Sequence, residues 1–157
     1  MVKINVVAVG KIKESYFQEA VLEYKKRLSK FCDLKIIEVK EENFTKEPNE
    51  SERLSIMKKE GALISKELKG HIIAMAIEGK KYSSVEFSNL LEKIKNESGE
   101  ITFVIGGSYG IDEEIKSKAK TKMSFSDMTF PHTLARVMLV EQLYRAFTIS
   151  ADGKYHK

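Results

Sequence analysis

Short apolar runs alternating with helix-period segments constrain this chain more than any other feature of its sequence. His71 to Ile77 (HIIAMAI) and Ile101 to Ile105 (ITFVI) are apolar almost throughout, the pattern of parallel strands buried on both faces. Between them, Ser83 and Glu86 have the spacing of a capping box at a helix start. Strand, helix, strand in this order predicts an α/β fold, a parallel sheet flanked by helices, with a ligand site beyond the carboxyl ends of the strands.

The N-terminal part repeats the pattern. Val2 to Val9 is β-branched and stops at Gly10. Ser15 and Gln18 are spaced as a capping box, and Phe17, Ala20 or Val21, Tyr24, Leu28 and Phe31 recur every three or four residues. A strand therefore leads into a helix with one apolar face. Leu34 to Val39 reads as a second strand, and the charged stretch Lys40 to Glu50, with Pro48, as a surface loop. Leu54, Met57, Gly61, Ile64 and Leu68 mark another helix, capped by Asn49 and Glu52 and ended by Gly70. A length of 157 residues suits one domain over 1–157.

Composition narrows the function classes. Apolar residues at 42% supply a core, yet no run approaches the roughly 20 apolar residues of a membrane span. The start, MVKINVVAVG, does not read as a signal peptide, and the lone Cys32 cannot close an intrachain disulfide, so a cytoplasmic location is expected. His71, His132, His156 and Cys32 lack zinc-type spacing, and no metal is expected. A net charge of +4 favours polyanionic partners.

Three segments carry candidate chemistry. FVIGGSYG, Phe103 to Gly110, places Gly106, Gly107 and Gly110 after a buried strand. It is either a cofactor loop, where missing side chains admit a ligand, or a tight turn into a helix whose first turn holds Asp112, Glu113 and Glu114. It is neither a Walker A loop nor the spaced glycine motif of dinucleotide enzymes, and the acidic residues suit an adenosine with a cationic group better than a triphosphate. SFSDMTFPH, Ser124 to His132, runs from a short strand through a polar turn to Pro131, which opens a helix from about Thr133 to Ile149.

In that helix Val137, Met138, Leu139 and Val140 are consecutive and point in about four directions. Burial all round predicts a second copy of the chain as the cover, a homodimer. Arg136 and Arg145 are candidates for phosphate contacts, and Glu141 for a salt-bridged rim. The closing ADGKYHK has the composition of a frayed terminus, while Tyr155, His156 and Lys157 offer a ring, an imidazole and a cation.

AVGKIKESY near the start, FVIGGSYG, SFSDMTFPHTLARVMLVEQLYRAF and the closing Tyr-His-Lys resemble, in order and spacing over essentially the whole chain, the ribosomal large-subunit methyltransferase H family of the SPOUT class. Met75 stands where that family often has leucine, and Lys154 where proline often precedes the Tyr-His pair. The resemblance implies an α/β-knot fold with a C-terminal trefoil knot, which general topology rules would not predict. It implies S-adenosylmethionine as cofactor and, as substrate, N3 of a pseudouridine in a hairpin loop of 23S ribosomal RNA within the assembled 70S ribosome. Carried over position by position, the cofactor contacts fall on Met75, Gly106, Phe125, Ser126, Asp127, Met128, Thr129 and Phe130.

A sulfonium methyl is already activated, so the protein must chiefly align the acceptor, exclude water and manage the N3 proton. His156, Tyr155 and Arg145 are the catalytic candidates for that last task, while His132, after Pro131, reads as a structural imidazole. The alternative function is a ribosome-binding dimer of the same fold without turnover.

Overall fold

A computed structural model describes residues 1–156; Lys157, one of the three tail residues singled out above, lies outside them. Five strands form one all-parallel sheet in the order β2-β1-β4-β3-β5. They are β1 (Val2–Val9), β2 (Cys32–Val39), β3 (His71–Lys81), β4 (Glu100–Ile105) and β5 (Thr121–Ser124). The helices are α1 (Ser15–Leu28), α2 (Glu50–Ser65), α3 (Ser84–Glu97), α4 (Glu113–Lys118) and α5 (His132–Ser150).

The strand alternation sorts side chains onto two covered faces. Ile4, Val6 and Ala8 pack with Ile73, Ile101 and Phe103 under α1, α3 and α5. Val7 and Val9 pack with Ile72, Ala74 and Val104 against Ile64 of α2 and Ile115 of α4. Both faces are dry, which is why these strands read as continuous apolar runs rather than as alternating ones. The face predicted for α1 is the one buried, with Phe17, Val21, Tyr24, Leu28 and Phe31 all packed into the first cluster.

Two of the three predicted caps form. Glu52 N–H donates to Asn49 Oδ1 at 2.8 Å and Glu86 N–H to Ser83 Oγ at 3.1 Å, each returned by the glutamate carboxylate. At α1 the prediction fails by one position. Ser15 is already helical, Glu14 is the N-cap without a side-chain bond, and Gln18 instead donates from Nε2 to the Ile12 carbonyl at 2.6 Å. Gly70 also differs in role. Helix α2 ends at Ser65, and Gly70, at φ +69°, turns the chain into β3 where a Cβ would lie 2.0 Å from the Glu100 carbonyl oxygen.

Strand β3 runs past Ile77 to Lys81, and this extension shapes the site. Its ladder with β4 ends at Met75 and Ile105, while Met75 and Lys80 both pair with Met123 of β5. Ala76 to Gly79 therefore stand outside both ladders, a wide bulge at the carboxyl edge of the sheet.

Helix α5 corrects the argument from its apolar residues. Leu139, Val140 and Leu143 are fully buried by the chain's own sheet and helices, so they need no second copy as cover. Leu134, Val137 and Met138 remain half-buried. Among the described residues, no helix is long and apolar enough to cross a membrane.

Candidate active site

The bulge in β3 opens a cleft at the carboxyl ends of β3, β4 and β5. A cavity of about 160 Å³ there is lined by Met75, Gly106, Phe125, Ser126, Met128, Thr129 and Phe130, with Ile77, Ile105 and His132 beside them. It adjoins a wider lobe of about 770 Å³ reached past Ser108, Tyr109, Lys116 and His132. Of the eight positions carried over for the cofactor, Asp127 alone does not line the cavity. Its carboxylate is 86% exposed and pairs with Lys81, pinning the turn to the end of β3.

Serine side chains set the shape of the segment from Ser124 to Met128. Ser124 Oγ donates to the Ser126 carbonyl at 2.9 Å, and Ser126 Oγ accepts from Met128 N–H at 3.0 Å, turns in which a short hydroxyl replaces a main-chain partner. The turn leaves Met128 73% exposed, and Ile77 across the cleft is 56% exposed. The cleft thus has an apolar rim open to solvent.

The glycine loop makes the tight turn that its sequence allowed and also walls the cavity. Gly110, at φ +97°, donates its N–H to the Gly107 carbonyl at 3.1 Å, a tight turn into α4, and the same residues wall the cavity. A Cβ at Gly106 would lie 2.7 Å from the Gly110 carbonyl group and 2.8 Å from Ile111 Cγ1. Glycine is needed there for the loop's own backbone, not only for room beside a ligand.

Behind the loop sits a residue that the motifs did not mark. Glu60 is 3% exposed; one oxygen accepts from Glu42 N–H at 3.1 Å and the other, beside Gly107, has no hydrogen-bond partner among the described residues. Burial, with Glu41 and Glu42 nearby and only the Glu42 N–H opposing, pushes its carboxyl up to about 7. Its signal in the sequence was an acid in register with Ile56 and Ile64 on the buried face of α2.

Arg136 is not a phosphate contact. It is 1% exposed, its guanidinium bonded to the Glu38 carboxylate and, at 2.9 Å, to the Gly10 carbonyl. The pair fastens the start of α5 to the ends of β1 and β2.

Tyr155 and His156 are docked rather than frayed. Tyr155 donates to Glu141 Oε2 at 2.9 Å, its oxygen lies 3.1 Å from the Tyr24 hydroxyl, and its ring meets Tyr144 edge-on at 4.8 Å. Arg145 bonds Glu141 Oε2 at 2.8 Å and lies 3.0 Å from His156 Nδ1. A guanidinium only donates, so Nδ1 is the acceptor in that contact. Burial, then the bonds to Tyr24 and Glu141, hold the Tyr155 phenol well above its ordinary range, so it stays protonated.

The structure brings Arg145, Tyr155 and His156 together, but not to the cleft. Ala135 of α5 lines the cavity; Arg145 lies about 15 Å further along the helix axis.

A family model described as "Predicted SPOUT methyltransferase" matches residues 2–156. The Ribosomal RNA large subunit methyltransferase H of Clostridium perfringens (strain 13 / Type A) is 48% identical, over 98% of this chain and 99% of its own length. That of Streptococcus equi subsp. zooepidemicus is 45% identical over 99% of each. A solved structure, that of a probable methylase family protein from Haemophilus influenzae Rd KW20, matches with a TM-score of 0.54 over 100% of this chain and 72% of the other. At 13% identity that is a likeness of fold.

Proposed function

The chain belongs to the SPOUT methyltransferases, in the ribosomal large-subunit methyltransferase H family, and on that premise we propose that it transfers the methyl group of S-adenosylmethionine to N3 of a pseudouridine in 23S ribosomal RNA of the assembled 70S ribosome. One observation carries the reading. Residues matching the family's cofactor segment, Met75, Gly106 and most of Phe125 to Phe130, converge from three strand ends on one cleft. Trefoil threading of the C-terminal segment and a cytoplasmic location belong to the same proposal.

The cleft suits that cofactor. Ala76 and Ile77, which line the cavity outside the strand ladders, offer main-chain N–H and C=O groups to an adenine edge. Ile77, Ile105, Met123 and Phe125 supply apolar walls for the adenine ring. When bound, S-adenosylmethionine supplies an activated methyl. The chain's part is to fix its direction and to keep water from the reacting atoms.

The acceptor N3 must shed a proton, which passes to solvent water, so donors that favour the imide anion assist the transfer. Arg145 and the Nε2–H of His156 are such donors. With Nδ1 already engaged by Arg145, His156 acts by stabilising charge and not as the base. Tyr155 contributes its ring as a stacking surface and holds Glu141, which orients Arg145. These groups are too far from their own chain's cleft, so we place them at the cleft of a second copy, in a homodimer. Half-buried Leu134, Val137 and Met138, and the apolar rim at Ile77 and Met128, give that copy a surface.

The test is calorimetry with S-adenosylmethionine, followed by transfer of labelled methyl to 70S ribosomes from a strain lacking the enzyme and mass spectrometry of the 23S RNA. A methylated pseudouridine is the expected product. Cofactor binding without any methylated RNA would favour the ribosome-binding dimer without turnover.

A further inference from the structure

We propose that the groove between the end of α1 and the docked tail holds the single-stranded RNA flanking the methylated nucleotide, with phosphates on Lys30 and Lys154 and bases against Phe31 and Tyr144. The identity of the strand rests on the methyltransferase reading; the groove's chemistry stands on its own. It encloses about 440 Å³, and Lys30, Phe31, Tyr144, Lys154 and Tyr155 line it with no acidic side chain among them. The polar cavity at the amino ends of β1 and β2 is different, because its Lys3, Lys35 and Lys69 are matched by Asp33, Glu67 and Glu100.

Cations and rings alternate along this face. Lys30 Nζ lies 5.2 Å from the Phe31 ring centre, the Arg27 guanidinium 5.7 Å from that of Tyr144, and the Arg145 guanidinium 4.8 Å from that of Tyr155. Arg27 is engaged by Glu23 and Arg145 by Glu141. Lys30 and Lys154 are exposed and form no ion pair among the described residues. Free cations beside flat rings suit a phosphate backbone with unstacked bases. A second copy seated here would instead bury two unpaired charges.

Position supports the same occupant. Tyr155 belongs to this groove and also to the cluster of Glu141 and Arg145. Tyr155 is thus the point where a strand leaving the reacting base at that cluster would meet the groove.

The experiment compares wild type, Lys30→Glu/Lys154→Glu, and a control with the same charge change on the opposite face of the sheet, Lys58→Glu/Lys59→Glu on α2. Fluorescence anisotropy follows binding of a labelled oligouridine across salt concentrations, light scattering follows assembly, and calorimetry follows S-adenosylmethionine. Relative to the control, the groove variant should bind the oligouridine about tenfold more weakly, with a salt slope smaller by about 1.4, two phosphates at about 0.7 each. Lys30→Gln/Lys154→Gln loses the same two contacts, so its slope should fall equally, with a smaller loss of affinity. Affinity and slope equal to the control's would overturn the proposal. So would conversion of a dimeric wild type to a monomeric groove variant, which would make the groove an interface between copies. Anisotropy needs no turnover, so a wild type that binds oligouridine but not S-adenosylmethionine sinks the methyltransferase reading and leaves the result for the groove intact.

Discussion

The Tyr155 hydroxyl donates to Glu141 Oε2 across 2.9 Å, and that bond makes the end of the chain a fixed arm beside Arg145. A variant ending at Lys154 loses this bond, the one to Tyr24 and the contact of His156 with Arg145. It should lose about 2–4 kcal/mol of stability in urea unfolding, as three side-chain hydrogen bonds are removed. Methyl transfer to 70S ribosomes should drop by about 10²-fold or more, with S-adenosylmethionine affinity nearly unchanged. Tyr155→Phe keeps the ring and should fall between. Full-rate methylation by the truncated chain would move catalysis away from the tail.

What the sequence revealed depended on how local the cause was. The apolar runs of β1, β3 and β4 announce a sheet covered on both faces, because each residue there must be apolar whichever way it points. The Asn49 and Ser83 caps are readable because donor and acceptor lie three residues apart. The bulge at Ala76–Gly79 is not, since it exists only through pairing with β4 and β5. The fate of the tail is set by Tyr24 and Glu141, far off in sequence, and terminal composition carries no trace of them. The positions carried over from the family resemblance, Asp127 apart, fall on one cleft, but the resemblance gave no reason for Gly106 that concerned Gly110.

Arg136 should matter to folding and not to RNA affinity. Arg136→Ala leaves a void and strips the Gly10 carbonyl and the Glu38 carboxylate of their partner, at about 3–5 kcal/mol. Arg136→Met fills most of the space and should lose less. Urea midpoints measure the first effect. A change in the salt slope of oligouridine binding by a folded Arg136→Met protein would show that the guanidinium reaches RNA after all.

At Gly106 even alanine should disturb the site. Its Cβ would sit 2.7 Å from the Gly110 carbonyl group, and relieving such an overlap by moving the loop costs about 1–3 kcal/mol, about ten- to a hundredfold in S-adenosylmethionine affinity. Gly106→Val should do more while the sheet stays folded by circular dichroism. Wild-type affinity in Gly106→Ala would remove this loop from the cofactor site.

Glu60 predicts a pH dependence of known sign. In the unfolded chain its carboxyl titrates near the ordinary 4.5, whereas in the folded chain burial pushes it up to about 7. Below pH 4.5 both states hold the proton and ionisation costs nothing. As pH rises from there, the unfolded chain releases its proton while the folded chain keeps it, so stability falls; above pH 7 both are ionised and the loss levels off. Its size is on the order of 3 kcal/mol, from a shift of about two and a half pH units. The groups facing the carboxyl are Glu41 and Glu42, both of which oppose its ionisation, and the Glu42 N–H, which favours it. Glu60→Gln keeps an acceptor for that N–H and cannot ionise. It should match wild type below pH 4.5 and be the more stable protein above pH 7, with the difference opening between. Urea unfolding of both proteins across that range is the measurement, and a difference that stays constant with pH would show that Glu60 does not titrate there. Because the unpartnered oxygen lies against Gly107, the same series read as S-adenosylmethionine affinity reports whether its charge disturbs the cofactor loop.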